Sequence, residues 1–122
     1  MLTENLQIYR KTFELAKVVL KKQKDISKAV RYGVYSDTVR MVFEAMDLIY
    51  VANSSKANRL YALGRYIELL GGVRSRIRLL GEERYLSKRA QDNIVCSLTE
   101  CLRQATGWRN ATLSESSQGN EN

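Results

Sequence analysis

The sequence predicts an all-α fold, an antiparallel up-down-up-down bundle of four helices. Its 122 residues contain no proline, which favours long, uninterrupted helices. Apolar residues recur every three or four positions in four separate segments, a spacing that is typical of bundle helices. The stretches between these segments are short, so consecutive helices should lie side by side in opposite directions. We therefore predict one four-helix domain over residues 1–110, followed by a polar tail over residues 111–122.

The first helix is predicted from a heptad seam, in which apolar residues follow one another in steps of four and three. A second stripe, formed by Ile8, Leu15 and Val19, makes the apolar face wider than a contact between two helices requires. The residues of the seam, which should face the core, are Leu2, Leu6, Tyr9, Phe13, Ala16 and Leu20.

The second helix is predicted to begin near Ser27, because serine is a favoured N-cap residue, and to end at residues 53–55. Its apolar residues cover more than half of its circumference. This pattern predicts either a central place in the bundle or a surface shared with another subunit.

The third helix is predicted from about Lys56 to Leu80, with Gly81 as its C-cap. Gly64, Gly71 and Gly72 lie inside it, where each glycine costs about 1 kcal/mol relative to alanine. Because Gly64 and Gly71 are one heptad apart, the pattern favours close approach of a neighbouring helix over a local kink. The predicted inward positions are Leu60, Leu63, Ile67, Leu70, Val73, Ile77 and Leu80.

The fourth helix is predicted to begin at Ser87, a second serine cap. The residues of its seam are Ile94, Leu98, Cys101, Ala105 and Trp108. Beyond the helix, residues 114–122 are only Ser, Glu, Gln, Gly and Asn. Such a segment buries too little apolar surface to become ordered, so the tail is predicted to be disordered.

The chain is strongly basic, with a formal net charge of +7. All 20 basic residues precede residue 111 and two of the 13 acidic residues follow it, so residues 1–110 carry +9. This excess predicts salt-sensitive association with polyanions such as a phosphate backbone. The alternative is a solvated surface that only keeps the protein soluble.

Few residues suit catalysis or metal binding. The chain has no histidine, no glycine-rich phosphate loop and no cluster with metal-ligand spacing, so we expect no enzymatic activity, no cofactor and no metal. Cys96 and Cys101 are five residues apart on one helix, which places them on different faces as free thiols. Free thiols without a signal peptide indicate a cytoplasmic protein, and the apolar runs are too short to span a membrane.

Two groups of basic residues are candidates for nucleic-acid binding. On one continuous helix, a ridge would be formed by Lys17, Lys21, Lys24 and Lys28, which are spaced four, three and four residues apart. If the chain turns near residues 25–27, Lys28 joins Arg31 and the ridge becomes a patch around that corner. The alternative for any one of these lysines is a solvated helix face.

The second group lies late in helix three. Arg74 and Arg78 are four residues apart and share a face, whereas Arg76 points elsewhere. The planar guanidinium suits phosphate, which favours a binding role for this pair. The alternative is that Glu82, or an acidic residue of another helix, neutralises Arg78.

Five tyrosines fall partly outside the seams: Tyr32, Tyr35, Tyr50, Tyr61 and Tyr85. Tyrosines among basic residues can stack on nucleobases. The pattern favours a simpler interpretation, in which they are amphipathic residues at the edge of the bundle or at a subunit contact.

The chain resembles two related groups of four-helix bundles over about residues 5–110. Phe13-Glu14-Leu15-Ala16, Arg31-Tyr32-Gly33 and Asn53-Ser54-Ser55 are similar to the proteins encoded in intervening sequences of 23S ribosomal RNA genes. Val73-Arg74-Ser75-Arg76-Ile77-Arg78, Leu79-Leu80-Gly81 and Gly107-Trp108 resemble their relatives, the accessory variability proteins of diversity-generating retroelements. Glu68, the glycines of helix three and the acidic tail depart from the second pattern.

The resemblance implies a barrel-shaped homopentamer with a positively charged surface. It also implies binding to nucleic acid (RNA, DNA or their hybrid) and to a reverse transcriptase during mutagenic copying of a template RNA. Arg74 and Arg78 match the paired arginines of that family. The alternative is a structural homo-oligomer of the intervening-sequence type, whose positive charge meets an acidic protein partner.

Overall fold

The computed structural model describes the backbone of residues 1–121 and the side chains of residues 1–117, and this part of the chain is helical without strands. Four long helices form the bundle: α1 (Gln7–Lys22), α2 (Ser36–Ser54), α3 (Arg59–Glu82) and α4 (Lys88–Glu121). The remaining helical segments are 3₁₀ turns at Thr3–Asn5 and Gln23–Asp25, a single α-helical turn at Lys28–Val30 and a π-helical turn at Arg31–Tyr35.

The helices are arranged in a ring in which neighbours run in opposite directions. Each helix packs against those adjacent in sequence, and α1 closes the ring against α4. Tyr50, late in α2, donates a hydrogen bond to Glu4, just before α1, over 3.0 Å. Asp37, early in α2, pairs with Arg76, late in α3, over 3.5 Å. The predicted all-helical bundle is therefore confirmed.

The core face of α1 differs from the predicted seam. Phe13 and Leu20 are about half exposed, and Thr12 is fully buried in the place expected of an apolar residue. The Thr12 hydroxyl bonds to the Ile8 carbonyl (2.7 Å) and to the Tyr66 hydroxyl (2.6 Å), which removes the penalty for burying it. The residues of α1 that the bundle buries are Ile8, Thr12, Leu15, Ala16 and Val19.

Two tyrosines, Tyr35 and Tyr66, are fully buried. The Tyr35 hydroxyl donates to the Val19 carbonyl, so the interpretation of Tyr35 as an edge residue is wrong. Burial raises the pKa of both hydroxyls well above the ordinary value for tyrosine. Each hydroxyl therefore stays protonated and serves as a hydrogen-bonding group of the core.

Both predicted serine caps are confirmed. The Ser27 hydroxyl accepts from the Ala29 amide over 3.3 Å, and the Ser87 hydroxyl accepts from the Ala90 amide over 3.1 Å. The second helical segment ends at Ser54, as predicted. The seam of α4 is also confirmed, since four of its members are fully buried: Ile94, Leu98, Cys101 and Ala105.

The glycines of α3 are only partly explained by close packing. A Cβ atom at Gly64 or Gly71 would meet nothing within 4 Å, so the prediction of close approach at these two positions is wrong. A Cβ atom at Gly72 would come within 2.7 Å of the Met41 methyl group of α2. Gly72 therefore leaves room for the Met41 side chain between α2 and α3.

The end of α3 is formed by Arg84 and not by Gly81. Arg84 has a φ of 65°, while Gly81 stays helical and faces the Gln91 side chain of α4. The Tyr85 amide bonds to the Leu80 carbonyl (2.8 Å) and the Arg84 amide to the Gly81 carbonyl (3.1 Å), which is a Schellman motif. The sequence missed this end because arginine rarely adopts the left-handed conformation.

Replacing Arg84 by glycine should therefore stabilise the bundle. We expect Arg84→Gly to raise the free energy of unfolding by about 0.5–1 kcal/mol, because glycine adopts a positive φ without steric cost. Urea unfolding followed by circular dichroism measures the change. Arg84→Ala is the matched control, since alanine removes the same side chain but keeps the steric cost; equal stability of the two variants would contradict this explanation.

The backbone of α4 continues into the predicted tail. Thr112 is buried and its hydroxyl donates to the Trp108 carbonyl over 2.8 Å, so packing reaches two residues beyond the predicted boundary at residue 110. Residues 113–117 are exposed along a helix that reaches Glu121, and Asn122 lies outside the described residues. The disorder of this tail stays a prediction.

Candidate nucleic-acid interface

The positive charge of the chain is concentrated in one half of the bundle. Because neighbouring helices are antiparallel, residues 15–45 lie at the same end as residues 71–100. These two ranges contain 13 basic and seven acidic residues, a net charge of +6. The rest of the chain contains seven basic and six acidic residues, a net charge of +1. Charge of one sign gathered at one end attracts polyanions to that end.

Many of the cations in this basic half (residues 15–45 and 71–100) have no acidic partner among the described side chains. Its acidic residues are mostly engaged, as in the pairs Lys22–Asp25, Arg78–Glu82 and Lys88–Asp92. Seven of the 13 basic side chains form no ion pair with any described residue: Lys21, Lys24, Lys28, Arg31, Arg74, Arg84 and Arg89. The positive charge of these seven side chains is not neutralised by any carboxylate of the described residues.

The first predicted group forms a patch around the corner between α1 and α2. The chain turns at Gln23–Asp25, so the lysines do not continue as one straight ridge. Lys17 lies in α1, before the corner, and forms an ion pair with Glu14 over 3.4 Å. Lys28 lies after the corner, at the start of the helical turn Lys28–Val30. An open cleft of about 510 Å³ lies at the corner, and its lining residues are Leu20, Lys21, Gln23, Lys24, Arg31 and Tyr32.

Arg31 holds this corner in place. Its Nε donates to the Ile26 carbonyl over 2.9 Å, and one terminal nitrogen donates to the Lys24 carbonyl over 3.1 Å. These bonds satisfy the backbone of the turn, and Ile26 is buried beneath it. Arg31 therefore has a structural task in addition to its positive charge, which sequence patterns did not predict.

The arginines of α3 divide between two sides of the bundle. Arg74 donates to the Thr99 hydroxyl of α4 over 3.0 Å, whereas Arg76 faces α2, where it pairs with Asp37. Arg78 donates to Glu82 over 3.0 Å, the neutralising contact that the sequence left open. Both side chains of that pair are mostly exposed, and exposed pairs contribute only about 0–1 kcal/mol, so Arg78 can exchange Glu82 for a phosphate.

Asp37 lies between two arginines. The hydrogen bond from Arg40 lowers the pKa of this carboxyl group, and the charges of Arg40 and Arg76 lower it further. Asp37 therefore remains charged and keeps Arg76 engaged within the chain. Of the three arginines, Arg76 is the least available to a ligand.

Two exposed basic residues of this half that form no ion pair with a described residue were missed in the sequence. Arg84 follows the end of α3, and Arg89 lies in the first turn of α4. Neither belongs to a regular series of basic residues, and only the antiparallel arrangement of α3 and α4 brings them to the same end as the corner. Counting the basic and acidic residues in each half of every predicted helix would have indicated both arginines.

A second, larger cleft is less suited to an anion. It has a volume of about 770 Å³ between α1 and α4, and its charged residues are Lys11, Glu14 and Glu100. The hydrogen bond from Arg103 lowers the pKa of Glu100 to about 2, so this carboxylate is charged at any physiological pH. Two carboxylates beside one lysine repel a phosphate. The corner cleft is therefore the better candidate.

The described residues 1–117 contain no group of three or more His, Cys, Asp or Glu side chains that could hold a metal ion. Cys96 is exposed and Cys101 is buried, both as free thiols, in agreement with the prediction of different faces. None of the described helices has a stretch that is both long and apolar enough to cross a membrane.

Comparison with protein-family models and with curated proteins gave no match in either case. The family resemblance stays a prediction.

Proposed function

We propose that the protein is a non-catalytic subunit that binds nucleic acid through the basic half of its bundle. The observation that carries this proposal is the net charge of +6 in residues 15–45 and 71–100, where seven cations lack an acidic partner among the described residues. Contacts of this kind are made mainly to phosphates. Binding is therefore weak in sequence preference and steep in its dependence on salt.

The resemblance to accessory variability proteins extends the proposal. On that basis the protein is a cytoplasmic accessory subunit of a retroelement reverse transcriptase, which holds template RNA, complementary DNA or their hybrid during mutagenic copying. The net charge of +6 and the exposed Arg74 and Arg78 support the nucleic-acid part of this proposal. The reverse transcriptase as partner rests on the resemblance alone.

Assembly into a homo-oligomer, a pentamer in that family, belongs to the same proposal. Most apolar residues of α2 are buried within its own bundle, but several large apolar side chains of α1 and α2 remain about half exposed: Phe13, Leu20, Phe43, Tyr50 and Val51. Exposed apolar groups on adjacent helices favour a contact with another chain. Light scattering on the purified protein measures the number of subunits.

The test of nucleic-acid binding is a fluorescence-anisotropy titration of labelled RNA, DNA and hybrid duplex with protein freed of copurifying nucleic acid. If four cations contact phosphates, the affinity should fall roughly 100-fold between about 50 and 200 mM monovalent salt. Absence of binding even at the lower salt concentration would reject the proposal. It would favour the alternative, a structural homo-oligomer whose charge meets an acidic protein partner.

Within this function, Arg74→Ala combined with Arg78→Ala should weaken binding by roughly 10-fold and lower the salt slope by about 2, because two phosphate contacts are removed. The bundle should remain folded, since both side chains are exposed. Arg65→Ala with Arg103→Ala is the matched control: both arginines are exposed, lie outside the basic half, and pair with a glutamate three residues away. Binding at full strength by the Arg74 and Arg78 variant would exclude this pair from the interface.

A further inference from the structure

Tyr32 is the most exposed tyrosine described in the structure, with 74 % of its surface accessible. The pattern of the sequence favoured a simple edge position for it. The other edge tyrosines Tyr50 and Tyr85 are more covered, with 41 % and 39 % of their surfaces accessible. Tyr32 leaves its ring in solvent, so core packing does not account for a tyrosine at this position.

The backbone around Tyr32 is fixed on both sides. Tyr32 belongs to the π-helical turn Arg31–Tyr35, a rare conformation that is often found at functional sites. Before it, Arg31 bonds to the carbonyls of Ile26 and Lys24, and after it, the buried Tyr35 bonds to the Val19 carbonyl. The turn therefore presents an exposed aromatic ring on a rigid support, which reduces the entropy lost on binding.

Three cations share the cleft with this ring. Lys21, Lys24 and Arg31 line the cleft together with Tyr32, and none of the three forms an ion pair with a described residue. The Arg31 guanidinium lies 5.9 Å from the centre of the Tyr32 ring. At about 510 Å³, the cleft falls within the usual size range of small-molecule sites, roughly 300–1,000 Å³. The corner thus combines a planar aromatic surface with positive charges at its rim.

We propose that this cleft binds an unpaired nucleotide of a single-stranded nucleic acid. The base stacks on the Tyr32 ring, and the flanking phosphates contact the ammonium groups of Lys21 and Lys24. Bases within a duplex are already stacked on one another and do not offer a free face, so the site favours single strands. This inference rests on the proposed nucleic-acid binding and adds the kind of strand that the corner selects.

The experiment compares single-stranded RNA and duplex RNA of equal length in anisotropy titrations at one salt concentration. Tyr32→Ala should weaken single-strand binding by about 5- to 150-fold, the usual range for loss of one stacked base. Its duplex affinity and its salt slope should not change, because no charge is removed. Tyr32→Phe should bind within about twofold of the parent protein, since the ring is retained. Tyr61→Ala is the matched control, because Tyr61 is 73 % exposed on α3, outside the basic half.

A second measurement reports on stacking itself. A single-stranded oligonucleotide with one 2-aminopurine should lose fluorescence on binding to the parent protein and to Tyr32→Phe, and retain it with Tyr32→Ala at saturating protein. Unchanged single-strand affinity and unchanged quenching in Tyr32→Ala would overturn this inference while leaving salt-dependent binding, and so the proposed function, intact. No binding of any strand by the parent protein would reject both.

Discussion

Reversing the charge of Lys21, Lys24 and Lys28 together is expected to weaken nucleic-acid binding by at least roughly 100-fold and to lower the salt slope by about 3. These three exposed lysines surround the corner between α1 and α2, and none is paired with an acidic residue among the described side chains. Each substitution by glutamate removes one phosphate contact and adds a repulsive charge. Titrations of the same labelled RNA over a series of salt concentrations give both the affinity and the slope.

The matched control tests whether binding depends on where the positive charges lie or only on the net charge of the protein. Arg10→Glu, Lys56→Glu and Arg109→Glu change the net charge by the same amount, at exposed positions outside residues 15–45 and 71–100. We expect this variant to bind several-fold more weakly, through the change in net charge, and to keep the salt slope of the parent protein. Equal losses in both triple variants would mean that overall charge, and not the corner, controls binding.

Replacing Thr12 by valine is expected to destabilise the bundle by about 1–3 kcal/mol. Valine has nearly the same shape as threonine, so packing is preserved while the hydroxyl is lost. The Tyr66 hydroxyl, fully buried and 2.6 Å from Thr12 Oγ1, would lose that hydrogen bond. Leaving a buried polar group without its partner is the costly event. Urea unfolding at one fixed protein concentration measures the change in the free energy of unfolding.

A variant that changes both Thr12 and Tyr66 tests the hydrogen bond between them directly. Thr12→Val with Tyr66→Phe should be more stable than the sum of the two single changes implies, by about 1 kcal/mol or more, because both polar partners are removed together. Thr38→Val is the control, since Thr38 is equally buried and its hydroxyl donates to the Val34 carbonyl, four residues earlier in the chain, rather than to a side chain of another helix. It should change stability by no more than about 0.5 kcal/mol. Strict additivity of the Thr12 and Tyr66 changes would show that their hydrogen bond contributes nothing.

The basic surface could be predicted residue by residue but not as an assembled site. The spacing of Lys17, Lys21, Lys24 and Lys28 indicated a ridge or a corner, and the structure has the corner. Periodicity cannot distinguish the two, because the turn at Gln23–Asp25 is stabilised by Arg31 reaching back to backbone carbonyls. These hydrogen bonds join the Arg31 side chain to carbonyls five and seven residues earlier, a contact that no spacing of residue types predicts.

Helix termini could likewise be predicted from the sequence, whereas packing faces could not. Serine caps act within three residues, so Ser27 and Ser87 could be identified from the sequence alone. The inward face of α1 could not, because a core place for Thr12 depends on the Tyr66 hydroxyl, 54 residues away. The role of Gly72 likewise depends on Met41 of the neighbouring helix.

By itself the sequence determined that the bundle is all-helical, that it has four helices and that Ser27 and Ser87 act as caps. It also determined the sign and size of the charge. These properties follow from local hydrogen bonding, from the 3.6-residue period and from composition, all of which act over short stretches of chain. Only the tertiary structure decided that the charge gathers at one end, that Tyr32 is presented beside Lys21 and Lys24, and which face of α1 is buried. Those properties depend on which helices become neighbours, and packing between residues distant in sequence decides that.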